Sequence, residues 1–416
     1  MDELFRSDNV LVRRVAMADQ KRWIITFDNY GIGQGFDRPG FGEDFLRHHG
    51  VSAIHVLGGG DDWYQYPEMT EAAAAIRTAT SGAERVMTYG SSMGGYAALR
   101  FADALGANAV LALSPQYSLD PSVAPDERRW QQDAERIRWI SAFNGPLRSP
   151  ARPVVVYDPK GPDRWHGDRI GQDAPVTAIR LPFTSHPVTT YLSEAGLLSQ
   201  LVFDTLNGTI DGDAIEQQGR GRRRNSSVYL AELAQSQPAS RPRTALALAR
   251  RAVDAGPTSP SALLCLGQLL SRMGRHEESL TVHKRLVEVT DRLVNYMIPY
   301  GDALFAAGDV QGACAVAREV VATMPNVAHI QNWAGFMLWN AGFHDEAREA
   351  VKRAVQLHPS NTQYQKLLVT YRFSDLDPNA PGGAKPPTWL KVIRWFKRRQ
   401  PKLALGRHRV ERRTAP

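Results

Sequence analysis

Arg85-Val-Met-Thr-Tyr-Gly-Ser-Ser-Met-Gly-Gly-Tyr-Ala-Ala-Leu-Arg100 is the stretch on which the reading of the fold turns. Residues 86–89 read as a short buried strand. Gly90, Ser92 and Gly94 then spell G-x-S-x-G, and residues 96–105 continue as an Ala-rich helix. A serine at such a strand-to-helix turn is held in strained backbone geometry with its hydroxyl projecting. The flanking glycines are needed because side chains there collide with the neighbouring strand and helix. The helix N-terminus adds partial positive charge where an oxyanion would form. A Gly/Ser-rich loop between a strand and a helix is also an ordinary turn. Here the strand before, the helix after, the second glycine at Gly95 and the next apolar strand at 109–113 favour the strained serine turn.

Outward from this stretch, strand and helix signals alternate. Residues 23–27 and 53–57 read as strands, 41–49 and 68–78 as helices; strands follow at 154–157 and 176–181, with a short helix near His166 and a longer one at 188–206. Such alternation predicts a mostly parallel sheet covered by helices on both faces, an α/β fold spanning residues 1–206. The polar helical pattern at 126–143 suits a small lid or a connecting helix.

The motif in this context resembles the nucleophile elbow of the α/β-hydrolase superfamily, with Ser92 as nucleophile, over about half the chain. The resemblance implies the chain order serine, acid, histidine and a base to remove the serine proton. Five histidines precede residue 207, and His48, His49 and His55 come before Ser92 and so are out of order. His166 is expected to face solvent on a helix. His186, in Leu-Pro-Phe-Thr-Ser-His-Pro-Val, opens the last helix, where the superfamily puts its catalytic histidine. The acid lies in Tyr157-Asp-Pro-Lys-Gly-Pro-Asp163. The superfamily's acid sits several residues past the strand end, which favours Asp163, with Asp158 the alternative acid. Asp158 also suits a turn before Pro159, and Asp163 a helix cap. The oxyanion hole should combine the N–H of Met93 with one from the loop at Asp28, Asn29 or Tyr30, Asn29 being the choice. Thr-Phe-Asp-Asn-Tyr-Gly replaces the His-Gly-Gly-Gly of lipases there, which leaves the second donor open. Trp63 and Tyr64, in Asp61-Asp-Trp-Tyr-Gln-Tyr66, are expected to line the substrate pocket or to belong to a packed loop.

Residues 207–227 contain Gly-Arg-Gly-Arg-Arg-Arg and little apolar content, which predicts a flexible linker. Beyond it a repeat sets in. Gly267, Gly301 and Gly335 are spaced by 34, as are Gly274, Gly308 and Gly342, and Ala245, Ser279, Ala313 and Ala347 recur in register. Pro257, Pro325 and Pro359 fall at repeat ends, with Asp291 in the place of the missing proline. This is similar to the tetratricopeptide repeat (TPR), an all-α solenoid of helical hairpins, here at 228–373. It implies a protein partner.

At 416 residues the chain is long for one domain, and 43% hydrophobic residues suffice for packed cores. Cys265 and Cys314 lack metal or redox spacing and read as buried fillers in a reducing compartment. The net charge of +7 is uneven: from Lys391 onward ten Lys/Arg face the single acid Glu411, leaving about −2 for the rest. The hydrolase-like part is therefore not expected to bind nucleic acid. Residues 374–416 form a basic tail in which Trp389, Val392, Ile393 and Phe396 share helical spacing among Lys and Arg, a pattern that suits an anionic membrane surface. The N-terminal residues carry no signal-peptide pattern, and no apolar run reaches a membrane span. A cytoplasmic protein is expected, with peripheral placement at the inner face of the membrane as the alternative. No metal-ligand spacing, Walker loop or dinucleotide fingerprint appears, so no cofactor is expected. The expected activity is hydrolysis of an acyl ester, carbohydrate-linked by analogy, through an acyl-enzyme. The alternatives are acyl transfer by the same triad and a non-catalytic repeat adaptor.

Overall fold

The computed structural model describes residues 2–32, 35–149 and 151–373. The basic tail and its proposed membrane segment lie outside them. Two compact units form, one of residues 1–307 and one beginning at Gly308.

The first unit is built on eight strands: β1 (Asp2–Arg6), β2 (Val10–Val15), β3 (Asp19–Phe27), β4 (Val51–Gly58), β5 (Arg85–Ser91), β6 (Ala109–Leu113), β7 (Val154–Tyr157) and β8 (Thr177–Arg180). They form one sheet in the order β1-β2-β4-β3-β5-β6-β7-β8. β2 alone runs against the others, pairing antiparallel with both β1 and β4, while every other pairing is parallel. The chain is thus of mixed α/β class. The β1–β2 hairpin was not expected from the sequence.

Because successive side chains on a strand point to opposite faces, each central strand feeds two cores. Trp23, Ile25 and Phe27 of β3 pack on one face with Ile54, Val56, Val110 and the helices Met69–Ala79 and Met93–Arg100. Ile24, Met87, Tyr89, Leu111 and Ile179 point the other way, onto the helices Thr189–Glu194 and Leu198–Asn207. Those two replace the single helix expected at 188–206; Gly196, at φ 62, separates them. Between β6 and β7 the chain is largely irregular, with short helices at Gln131–Arg136 and Ser141–Asn144 in place of one long helix.

Residues 207–227 are not a flexible joint. Asp211 caps the helix Gly212–Arg222 by accepting from the Ala214 amide (3.0 Å), and a 3-10 turn follows at Arg223–Asn225. Ile215 is buried in the second core, and a Cβ at Gly219 would stand 2.8 Å from Leu181 Cδ2, so this helix lies close on β8 and its loop. The core continues without a break into the helices Ser227–Gln235, Pro242–Ala255 and Pro260–Arg272. The boundary expected near residue 228 is therefore absent, and the first repeat hairpins belong to the α/β unit.

The hairpins themselves follow the 34-residue period. A Cβ at Gly267 would come 2.6 Å from His283 Nε2, and one at Gly335 2.6 Å from Val351 Cγ2. Small residues are needed at these crossings, where the two helices of a hairpin nearly touch. The second unit holds Val310–Thr323, Ala328–Asn340, His344–Leu357 and Thr362–Phe373. Cys265 and Cys314 are buried free thiols. No helix among the described residues is long and apolar enough to cross a membrane.

Candidate active site

Ser92 sits between β5 and the helix Met93–Arg100 at φ 55, ψ −117, a region that non-glycine residues seldom occupy. Three close approaches fix this turn. A Cβ at Gly90 would collide with the Gly94 backbone. One at Gly94 would collide with the Phe27 carbonyl and stand 2.9 Å from that of Asp28, and one at Gly95 would stand 3.0 Å from the Leu113 carbonyl. The helix start is thereby wedged between the ends of β3 and β6. The Ser92 amide donates to the Leu113 carbonyl (2.9 Å), and its side chain is only 5% exposed.

The Ser92 hydroxyl lies 2.9 Å from His186 Nε2, and His186 Nδ1 lies 2.8 Å from Asp163 Oδ2. A carboxylate only accepts, so Nδ1 carries the proton and Nε2 is free to accept from the hydroxyl. Asp163 opens the helix Asp163–Asp173 and is 1% exposed. Burial pushes its carboxyl up, but the hydrogen bond from His186 and the charge and hydrogen bond of Arg129 outweigh burial and hold it below the ordinary range. Arg129 Nη1 donates to the second oxygen, Oδ1, at 2.6 Å.

Asp158 does not approach the imidazole. Its Oδ2 accepts the amides of Thr184 (2.8 Å) and Ser185 (3.1 Å), and its Oδ1 that of Lys160 (2.7 Å). It shapes the loop that carries His186. That loop is tied down again by Ser114 Oγ, which accepts the Val188 amide (3.0 Å), and by the Ser91–Thr189 hydroxyl pair (2.9 Å).

His166, expected at the surface, is 1% exposed. Its Nδ1 accepts the Tyr117 amide (3.0 Å), which leaves Nε2 to donate to Glu127 (2.9 Å). Both nitrogens are thus engaged in holding the β6–β7 segment.

The expected pocket residues divide. Tyr64 is wholly buried, its hydroxyl donating to the Val56 carbonyl (2.9 Å) and accepting the Asp28 amide (2.6 Å). It belongs to the core rather than to a pocket, and it occupies the Asp28 amide, removing one of the three amides considered for the oxyanion. Asn29 follows Asp28, whose carbonyl meets Gly94 at the start of the helix that Met93 opens. Trp63 is buried as well and packs edge-on to Trp130 (5.7 Å), which stands 5.3 Å from the His186 ring. Its indole N–H donates to Gln116 Oε1 (3.1 Å), and Gln116 Nε2 donates to Ser92 Oγ (3.2 Å). Gln116 was not singled out in the sequence; a lone glutamine three residues past a strand carries no signal of its own. Tyr30 (5.5 Å from Trp63) completes an aromatic rim beside the triad. Among the described residues no cluster of His, Cys, Asp and Glu is arranged to hold a metal ion.

No family model and no curated protein matches the chain. Among solved structures, part of the chain is similar to MamA from Desulfovibrio magneticus RS-1, at 21% identity, covering 41% of this chain and 97% of that one with a TM-score of 0.31. It is similar over 44% of its length to a thermophilic TPR protein in Thermus thermophilus, at 17% identity, 98% of that chain and a TM-score of 0.33. YrrB, described as a TPR protein with an unusual peptide-binding site, is similar at 17% identity over 42% of this chain and 89% of that one, with a TM-score of 0.32.

Proposed function

We propose that the α/β unit is a serine esterase of α/β-hydrolase type and that the repeats recruit a protein partner. The observation that carries the first part is the unbroken relay from Ser92 Oγ through the His186 ring to the buried Asp163 carboxylate. In this reading Ser92 Oγ attacks the ester carbonyl carbon while its proton passes to His186 Nε2. The resulting oxyanion faces the Met93 amide and an amide of the Asn29–Tyr30 loop. Collapse breaks the bond to the alcohol, which takes the proton back from Nε2 and leaves an acyl-Ser92. Water, deprotonated by the same nitrogen, then releases the acid and restores the serine. Asp163 keeps the imidazole in the required tautomer and stabilises the imidazolium. An alcohol or sugar hydroxyl in place of water gives acyl transfer by the same steps. Tyr30 and Trp130, backed by the buried Trp63, suit the flat face of a sugar ring or an acyl chain.

A second reading, a repeat adaptor with no catalysis, is favoured by exposed apolar side chains on the repeats, among them Val289 and Leu293. The solved structures that resemble part of the chain are repeat proteins and do not bear on the sheet. An anionic membrane surface is a further proposed partner, resting only on the composition of residues 391–413.

Turnover of a short aryl acetate by purified protein separates the readings. The esterase reading predicts measurable kcat/KM, lowered about 10³-fold or more by His186→Ala and little by a change at the surface residue His49. Absence of turnover by the native chain favours the adaptor.

A further inference from the structure

The catalytic cycle above makes no use of Arg129, yet no other cation bonds to the triad among the described residues. Its guanidinium touches three groups at once. One nitrogen donates to Asp163 Oδ1 at 2.6 Å, on the oxygen that His186 does not use. Nε and the other terminal nitrogen clasp Glu127, at 3.0 and 2.6 Å. The flat face lies over the Trp130 ring at 4.5 Å, and Trp130 in turn stands against the His186 ring at 5.3 Å. Glu127 is itself fixed from behind by His166 Nε2 (2.9 Å), whose other nitrogen is fixed by the Tyr117 amide. The irregular segment between β6 and β7 is thus fastened to both the acid and the base of the triad, through one side chain and its neighbour.

Resting on the esterase reading, we infer that Arg129 is a positioning residue of the triad: it orients the Asp163 carboxylate toward His186.

The orienting role follows from geometry. A carboxylate held on one oxygen alone can rotate about its Cβ–Cγ bond, and a charge-assisted hydrogen bond to the other oxygen, from a guanidinium itself anchored on Glu127, removes that freedom.

The test compares Arg129→Met and Arg129→Lys with the native chain in two readouts. One is kcat and KM on an aryl acetate. The other is the NMR signal of the His186 Nδ1–H proton and its exchange with water, which needs no turnover. For Arg129→Met, kcat should fall about tenfold with KM nearly unchanged, and the Nδ1–H proton should exchange faster as the Asp163 carboxylate loosens. For Arg129→Lys, which can still donate to Oδ1, both readouts should return toward the native values. If Arg129→Met does not fold, Arg129→Leu replaces it with the same expected changes. A folded Met or Leu variant with native kcat and native Nδ1–H exchange overturns the inference, and so does a Lys variant as impaired as the Met one. A faster-exchanging Nδ1–H in a chain without esterase activity overturns the functional reading and leaves the role of Arg129 standing.

Discussion

Ser92 holds a backbone conformation that costs on the order of 1–3 kcal/mol for a residue with a side chain. The close approaches at Gly90, Gly94 and Gly95 hold it there, with the hydroxyl projecting toward His186. The carboxylates nearby are separated by what they bind rather than by distance along the chain. Asp163 serves the ring, and Asp158 serves the backbone of the loop that carries the ring. Asp163→Asn should therefore lower kcat by about 10³–10⁴-fold, because the amide can present its N–H to Nδ1 and favour the wrong tautomer. Asp158→Asn keeps an acceptor for the loop amides and should cost about tenfold or less, with a fall in unfolding temperature. Rates on an aryl acetate, taken alongside thermal unfolding, check this, and a larger catalytic loss at Asp158 contradicts the assignment. At this scale the structure brings together the side chains of Ser92, His186 and Asp163, which were picked out by the chain order that the resemblance to α/β-hydrolases implies. The sequence told nothing of Gln116 or Arg129, whose roles arise only where distant segments meet. His166 misled because a histidine on a short helix just past a strand-end loop looks exposed, whereas the helix turns it inward onto Glu127.

The elements that were legible are those with apolar runs buried on both faces, such as β5 and β6, where almost every residue is covered. The β1–β2 hairpin escaped because its strands carry charge. Glu3 and Arg6 bond to one another on the edge strand, and Arg14 of β2 reaches Asp2. Such sequences look like solvated loops, although charges of this kind also keep an edge strand from pairing with another molecule. The helix Gly212–Arg222 escaped for a related reason: it is polar and Gly-containing, and only Ile215 and Gly219 are buried. Two anchoring positions and an Asp211 cap are too little to see in a window of composition. The repeat helices, by contrast, announce themselves, since small residues recur wherever two helices of a hairpin cross.

Over the whole molecule, the consequence of that short helix is that the sheet and the first repeat helices share one core. Tyr191 Oη donates to the Gly219 carbonyl (2.6 Å), Arg222 donates to the Ala195 carbonyl (2.8 Å), and Glu194 accepts from Ser226 Oγ (2.6 Å). Phe183, three residues before His186, packs edge-on against Tyr229 (6.1 Å). The helix Ser227–Gln235 therefore supports the loop that carries His186. A chain ending at Leu206 exposes Leu181, Tyr191 and Leu197 and should be insoluble or lack a cooperative unfolding transition. A chain ending at Ala307 should unfold cooperatively and keep aryl acetate turnover within about threefold of the full chain, as the first unit retains its whole core. An active, soluble chain ending at Leu206 contradicts the shared core. All of this gains its meaning from one claim, that Ser92 is a nucleophile. Reaction of the folded protein with a fluorophosphonate, followed by peptide mass spectrometry, tests it most directly. A phosphonyl adduct on Ser92 is expected, lost in Ser92→Ala and strongly slowed in His186→Ala. No adduct on the native chain, or an adduct that persists at another residue when Ser92 is replaced, would contradict that claim.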